Sequence, residues 1–100
     1  MGFVFEFNPA KAANNLKKHG VSFAEAMTVF DDPLAQTFPD ELHSEDEDRC
    51  ITIGLSSQQR LLFISHLEED NRIRLIWFQR CGPSRRTAEC EAYEELKRRP

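Results

Sequence analysis

The sequence has no long apolar run, few glycines, and no recognisable catalytic or metal-binding motif. Each absence narrows what the chain can be. No stretch approaches the roughly 20 apolar residues needed to cross a bilayer. Four glycines in 100 residues leave no Gly-rich loop to cradle a nucleotide phosphate, and neither GxSxG nor HExxH occurs. The cysteines are three, an odd number at unrelated spacings. Cys50, Cys81 and Cys90 therefore fit neither a disulfide framework nor a CxxC knuckle, and read as small residues in reduced, partly buried positions. Cys81 alone lies near arginines that would lower its thiol pKa. His43 and His66 have no second ligand at metal-site spacing, so neither a metal site nor a cofactor is expected. The opening MGFVFEFNP has no basic n-region, so the expectation is a cytoplasmic protein without membrane attachment.

What remains is one ordinary domain, residues 1–100, with a thin core. Apolar content is 40%, and Phe supplies 8 of the 10 aromatics, so a few large rings must fill that core. Net charge is −4, which counts against a nucleic-acid ligand until its distribution is considered. Six acids lie between Asp40 and Asp48, and without them the balance is +2. The segment from Arg72 to Arg86 carries five arginines and no acid. An acidic loop thus offsets a basic segment.

Phe3, Phe5 and Phe7 alternate with Val4 and Glu6, the period of a strand. Asn8-Pro9 starts a helix, with Asn8 as N-cap, and Gly20 ends it in the left-handed C′ position. Ser22-Phe23-Ala24-Glu25 reads as a capping box opening a second helix, whose inner stripe is Phe23, Ala26, Met27 and Phe30, joined on the sheet by Leu16. Asp31-Asp32-Pro33 stops it. A short strand over Leu34 to Phe38 precedes an exposed loop, Pro39 to Asp48. Cys50 to Gly54, Leu61 to Leu67 and Ile73 to Arg80 form a meander, because connections this short favour antiparallel neighbours. A last helix, Arg85 to Lys97, places Ala88, Ala92 and Leu96 on one stripe. The expected class is α+β, a mainly antiparallel sheet of four to five strands with two N-terminal helices and one C-terminal helix.

The third meander strand carries the most chemical information. In a regular strand Arg72, Arg74 and Arg80 share one face. With Arg85 and Arg86 at the start of the next helix they would cradle phosphate, because guanidinium binds phosphate bidentately and stays charged. A solvated sheet face neutralised by the acidic loop explains the same charges. Lys17, Lys18 and His19 complement the negative end of the first helix, whether or not they do more. These residue types suit cleavage of a phosphodiester without metal, which needs cations on the phosphate and acid–base groups flanking the 2′-OH and leaving oxygen.

Several blocks resemble the BrnT family in order along nearly the whole chain. They are Phe5-Glu6-Phe7-Asn8 with Lys11, then Asn15 to Phe23 with Glu25-Ala26, and Phe30-Asp31-Asp32-Pro33-Leu34. His43-Ser44, Arg49 and Ile53-Gly54 follow, then Arg72 to Ile76, and finally Glu89 and Tyr93. BrnT proteins are toxins of type II toxin–antitoxin pairs. The resemblance implies a RelE-like ribonuclease fold, RNA cleavage, arrest of translation, and neutralisation by a BrnA-like antitoxin of the ribbon-helix-helix DNA-binding type, with homodimer and heterotetramer both open. Under this reading Arg74 and Arg80 hold phosphate with help from Arg49, and His19 or Glu89 moves protons. Lys18, Arg72, Arg85 and Arg86 contact RNA. The family usually reads Ile-Ser-Ala-Arg-Lys-Ala-Thr where this chain has Ile76-Trp77-Phe78-Gln79-Arg80-Cys81-Gly82. An Arg has become Gln79, and this departure supports a second reading, a catalytically degenerate module that binds antitoxin or nucleic acid for regulation.

Overall fold

The alternating N-terminal aromatics form strand β1 (Val4–Glu6), which Asn8-Pro9 converts at once into helix α1 (Pro9–His19). This is a computed structural model, in which residues 3–40, 49–82 and 87–99 are described. The acidic loop with His43, and Arg85 and Arg86, lie outside those residues. Asn8 accepts hydrogen bonds from the amides of Ala10 and Lys11, and Gly20 closes α1 at φ 71°, a conformation open to glycine without strain. Helix α2 (Phe23–Thr28) runs into a single 3-10 turn, Val29–Asp31. Strands β2 (Gln36–Pro39), β3 (Arg49–Leu55), β4 (Leu61–Glu69) and β5 (Arg72–Arg80) follow, then helix α3 (Ala88–Arg98).

The sheet order is β1-β5-β4-β3-β2. All neighbours are antiparallel except β1, which lies parallel to β5 and pairs with it only from Arg72 to Arg74. The α+β class, the five strands and the three helices are as expected. The face under α2 holds Val21, Ala26 and Val29 against Leu62, Ile64, Ile73, Leu75 and Phe78, with Phe5, Phe23 and Phe30 at its margin. The opposite face packs Cys90 and Tyr93 of α3 on Ile51, Ile53 and Phe63, flanked by Trp77. A Cβ on Gly54 would meet Val29 Cγ1 at 2.8 Å and Ala35 Cβ at 2.9 Å, so only glycine lets the 3-10 turn approach β3 this closely.

Several expectations are corrected. Leu16 does not pack on the sheet, since it is 49% exposed. Its neighbour Asn15 turns inward instead. Because β1 ends at Glu6, β5 is left with an open edge beyond Arg74, and buried Asn15 fills that gap. Its Nδ2 donates to the Phe78 carbonyl at 2.7 Å, and its Oδ1 accepts from the Phe78 amide at 3.1 Å. The carboxamide thus replaces a neighbouring peptide. The capping box is half formed: Ser22 accepts from the Glu25 amide, but the Glu25 carboxylate is drawn to Arg60. On α3 the buried residues are Cys90 and Tyr93, while Ala88 and Ala92 are exposed. Tyr93 brings more apolar area than two alanines, and its hydroxyl bonds Asp32. The same docking brings Cys90 to Cys81, and the pair forms a disulfide with a Cα–Cα separation of 6.3 Å, contrary to the expected thiols, while Cys50 takes no part in a disulfide.

Asn15→Ala should cost about 2 kcal/mol, since it orphans a buried donor and acceptor together. Leu16→Gln should stay within about 0.5 kcal/mol, as exposed positions do. Urea titration of the two variants checks both values.

Candidate functional site

The face of β5 turned toward α3 begins with Arg72 and Arg74. In a regular strand Arg80 would join them, and the sheet does not permit it. Ser65 of β4 pairs with Trp77 while His66 pairs with Leu75, leaving Ile76 as an extra residue. This bulge inverts the alternation. Phe78 consequently faces the α2 side with Leu75, and Arg80, opposite Leu62, falls on that side too. The bulge thus separates Arg80 from Arg74.

Arg49 does join Arg74. Leu67 of β4 pairs with Arg49 on one side and Arg74 on the other, so both arginines project from one face about 9.5 Å apart, two strand spacings. Arg72 lies next along the row and bonds Glu6 at 3.2 Å. Arg74 is exposed and forms no ion pair among the described residues. Beside this row, α1 and β5 enclose a cleft of about 500 Å3 lined by Lys11, Asn14, Asn15, Lys18, His19, Ile76, Trp77 and Gln79. Lys11, Asn14, Asn15 and Lys18 stand at i, i+3, i+4 and i+7, one helical face. Asn15 sets the rotation of α1 that turns this face to β5. Lys11, Asn14 and Trp77 were not singled out as site residues from the sequence, although the helical spacing was there to read.

Other candidates lie elsewhere. Glu89 is exposed in the first turn of α3, and it does not line the cleft. Arg80 joins Arg60 and Lys97 around a second pocket of about 320 Å3 beside Tyr93 and Glu94. The Arg60 of that pocket is engaged structurally. Its guanidinium donates from Nε to Glu25 Oε2 at 2.9 Å and from Nη2 to both Glu25 Oε1 and the Gly20 carbonyl, while Ser56 donates to the same carboxylate at 2.7 Å. Hydrogen bonds from Arg60 hold the buried Glu25 carboxyl below its usual range, against the opposing effect of burial. Burial also raises the Asp32 carboxyl, but bonds from Tyr93 and the amides of Leu55 and Leu34 together outweigh it and leave its pKa lowered.

His66 is unsuited to proton transfer with solvent. It is fully buried, its Nε2 lies 2.7 Å from Thr52 Oγ1, and burial pushes its pKa down to about 4. His19 is half-buried at the cleft. Among the described residues no group of three or more His, Cys, Asp or Glu is placed to hold a metal, and no helix is long and apolar enough to span a membrane. The sheet face thus presents Arg49 and Arg74, and the cleft presents Lys11, Lys18 and one imidazole.

Comparison with known proteins adds a family. Residues 7–83 match the family model described as the ribonuclease toxin BrnT of type II toxin–antitoxin systems. The chain is similar in fold to the 1.1 Å crystal structure of the Brucella abortus ribonuclease toxin BrnT, with TM-score 0.64 and 18% identity, over 82% of this chain and 100% of that one. No curated protein matches in sequence.

The Glu25–Arg60 contact makes a pH-dependent prediction. A carboxyl depressed from 4.5 contributes stability above that pH, and the contribution disappears as pH falls through the lower folded value. Glu25→Gln should lose about 2–3 kcal/mol at pH 7, toward the low end for a buried pair because Arg60 keeps some solvent contact. As pH falls through the lowered folded value of Glu25 the variant and the parent should converge, because protonation does to Glu25 what the substitution does. Thermal melts across pH 2–7 measure the difference.

Proposed function

The chain belongs to the BrnT family, ribonuclease toxins of type II toxin–antitoxin systems, and we propose that it cleaves RNA without metal at the Arg49–Arg74 face and the adjoining α1 cleft. What supports this reading is that Arg49 and Arg74 share one face of the sheet while Lys18 and His19 of a separate helix line a cleft further along the same strand β5. Fixed cations beside the phosphate stabilise the charge that accumulates on its non-bridging oxygens during displacement. In the step itself a base removes the proton of the 2′-OH, the O2′–P bond forms, the P–O5′ bond breaks, and an acid returns a proton to O5′. His19 is the residue of the cleft suited to either proton transfer. Lys18 and Arg72 extend the contact to neighbouring phosphates, and Arg85 and Arg86 would lengthen it. Arg80 and Glu89, which stand apart from the cleft, are lesser candidates.

Cleavage of cellular mRNA would arrest translation, so a producing cell needs an inhibitor. A BrnA-like antitoxin of ribbon-helix-helix type fits the family and the charge pattern. The acidic stretch Asp40–Asp48 and the basic row offer opposite charges for steering, while exposed Phe3, Phe7 and Leu34 offer apolar area to bury. One observation favours a different reading. Gln79, buried and neutral, occupies the position where family members usually have an arginine, and a non-cleaving regulatory binder accommodates that change.

Arg74→Ala should reduce cleavage of a single-stranded RNA at least tenfold, about 1.4 kcal/mol of transition-state stabilisation. Its stability should change by less than about 0.5 kcal/mol. Cleavage should persist in excess chelator. Parent protein that binds RNA without cutting it would favour the regulatory reading.

A further inference from the structure

The α1–β5 cleft holds a feature that phosphate binding alone does not use. Trp77 lines it, half-buried, and its ring lies parallel to buried Phe63, with an interplanar angle of 7° and centroids 5.5 Å apart. The bulge at Ile76 sends this ring to the arginine side of the sheet, and Phe63 fixes its tilt. Gln79 reaches the same cleft and is only 8% exposed. Its carboxamide offers both a donor and an acceptor. On the facing wall Lys11 and Lys18 stand seven residues apart on α1, about 10 Å along the helix axis, with Asn14 between them. Neither lysine forms an ion pair among the described residues.

A preset aromatic plane, an adjacent amide and two flanking cations match the chemistry by which proteins hold unpaired bases. We propose that this cleft is a nucleobase subsite. One unpaired base of a single-stranded RNA stacks on Trp77, the Gln79 and Asn14 amides meet its edge, and Lys11 and Lys18 hold the phosphates on either side. The inference rests on the ribonuclease reading and deepens it. It makes this chain a reader of single strands and makes Trp77 a specificity-determining residue rather than a catalytic one. A duplex, whose bases are stacked on one another, has none to offer.

The chain contains a single tryptophan, so tryptophan emission, excited where Tyr93 does not absorb, reports on this site alone. The probes are a short 2′-O-methyl single strand, which cannot be cleaved, and an abasic strand of equal length. Labelled copies measure binding by anisotropy, and unlabelled copies measure quenching. The base-bearing strand should quench Trp77 emission saturably, with the same Kd that anisotropy gives. The abasic strand should bind more weakly and leave emission unchanged. Trp77→Leu should weaken the base-bearing strand about tenfold and the abasic strand hardly at all. Lys11→Gln should weaken both. Bound RNA that leaves the emission of the parent unchanged would overturn the subsite while leaving the ribonuclease reading intact. So would equal losses of both strands in Trp77→Leu. If neither strand binds, the ribonuclease reading itself fails and the subsite with it. Should Trp77→Leu fold poorly, quenching in the parent protein decides the matter unaided.

Discussion

The two hydrogen bonds between the Asn15 carboxamide and the Phe78 backbone are the contact on which the rest of the site depends. Strand β1 is three residues long and satisfies β5 only as far as Arg74. Beyond that point an edge amide and carbonyl face inward, where leaving them unpaired would be costly. A side-chain amide has the donor and acceptor of a peptide, and a helix can deliver it where no strand reaches. Once Asn15 is fixed, helical geometry settles its neighbours. Lys11, Asn14 and Lys18 must line the cleft, and Leu16 must turn to solvent. The same residue thus completes the sheet and aims the cations.

Two further polar ties hold the frame around that contact. Glu25 joins α2 to Arg60 and Ser56 of the β3–β4 hairpin, and Asp32 joins the 3-10 turn to the Leu55 amide and the Tyr93 hydroxyl. Each carboxylate is satisfied by several donors, which makes its burial tolerable. Asn15, Gly20, Ser22, Glu25, Asp32 and Tyr93 all belong to the blocks by which the sequence resembles the BrnT family. Their roles here are to cap, pair and dock. The stretch that most strongly identifies the family is therefore largely scaffold, and the cleft-lining residues proposed to meet RNA are interleaved with it: Lys11 before Asn15, and Lys18 and His19 after it.

Periodicity and turn chemistry made the elements legible. Asn8-Pro9, Gly20 and Ser22 fix helix ends through local bonds, and local bonds are what a sequence displays. The strand alternation was equally open to view. Failures arose where a distant partner decided the outcome. Nothing adjacent to Glu25 reveals that Arg60 will claim its carboxylate, and nothing near Asn15 reveals an open edge sixty-three residues away. The bulge at Ile76 was similarly hidden, because an extra residue leaves no compositional trace in an apolar strand. That one insertion reversed the expected grouping, separating Arg80 from Arg74 and turning Trp77 to the arginine side. The Cys81–Cys90 bridge depends on how α3 docks, which spacing alone does not encode.

The central claim is that α1 and the Arg74 face of β5 form one RNA surface, distinct from the basic pocket at Arg60, Arg80 and Lys97. Titration of isotope-labelled protein with an uncleavable single-stranded RNA, followed by amide chemical shifts, tests it directly. The account predicts shifts that converge on Lys11, Asn14, Lys18, His19, Arg49, Arg74 and Trp77. Shifts confined to Arg60, Arg80 and Lys97, with α1 unmoved, would contradict it.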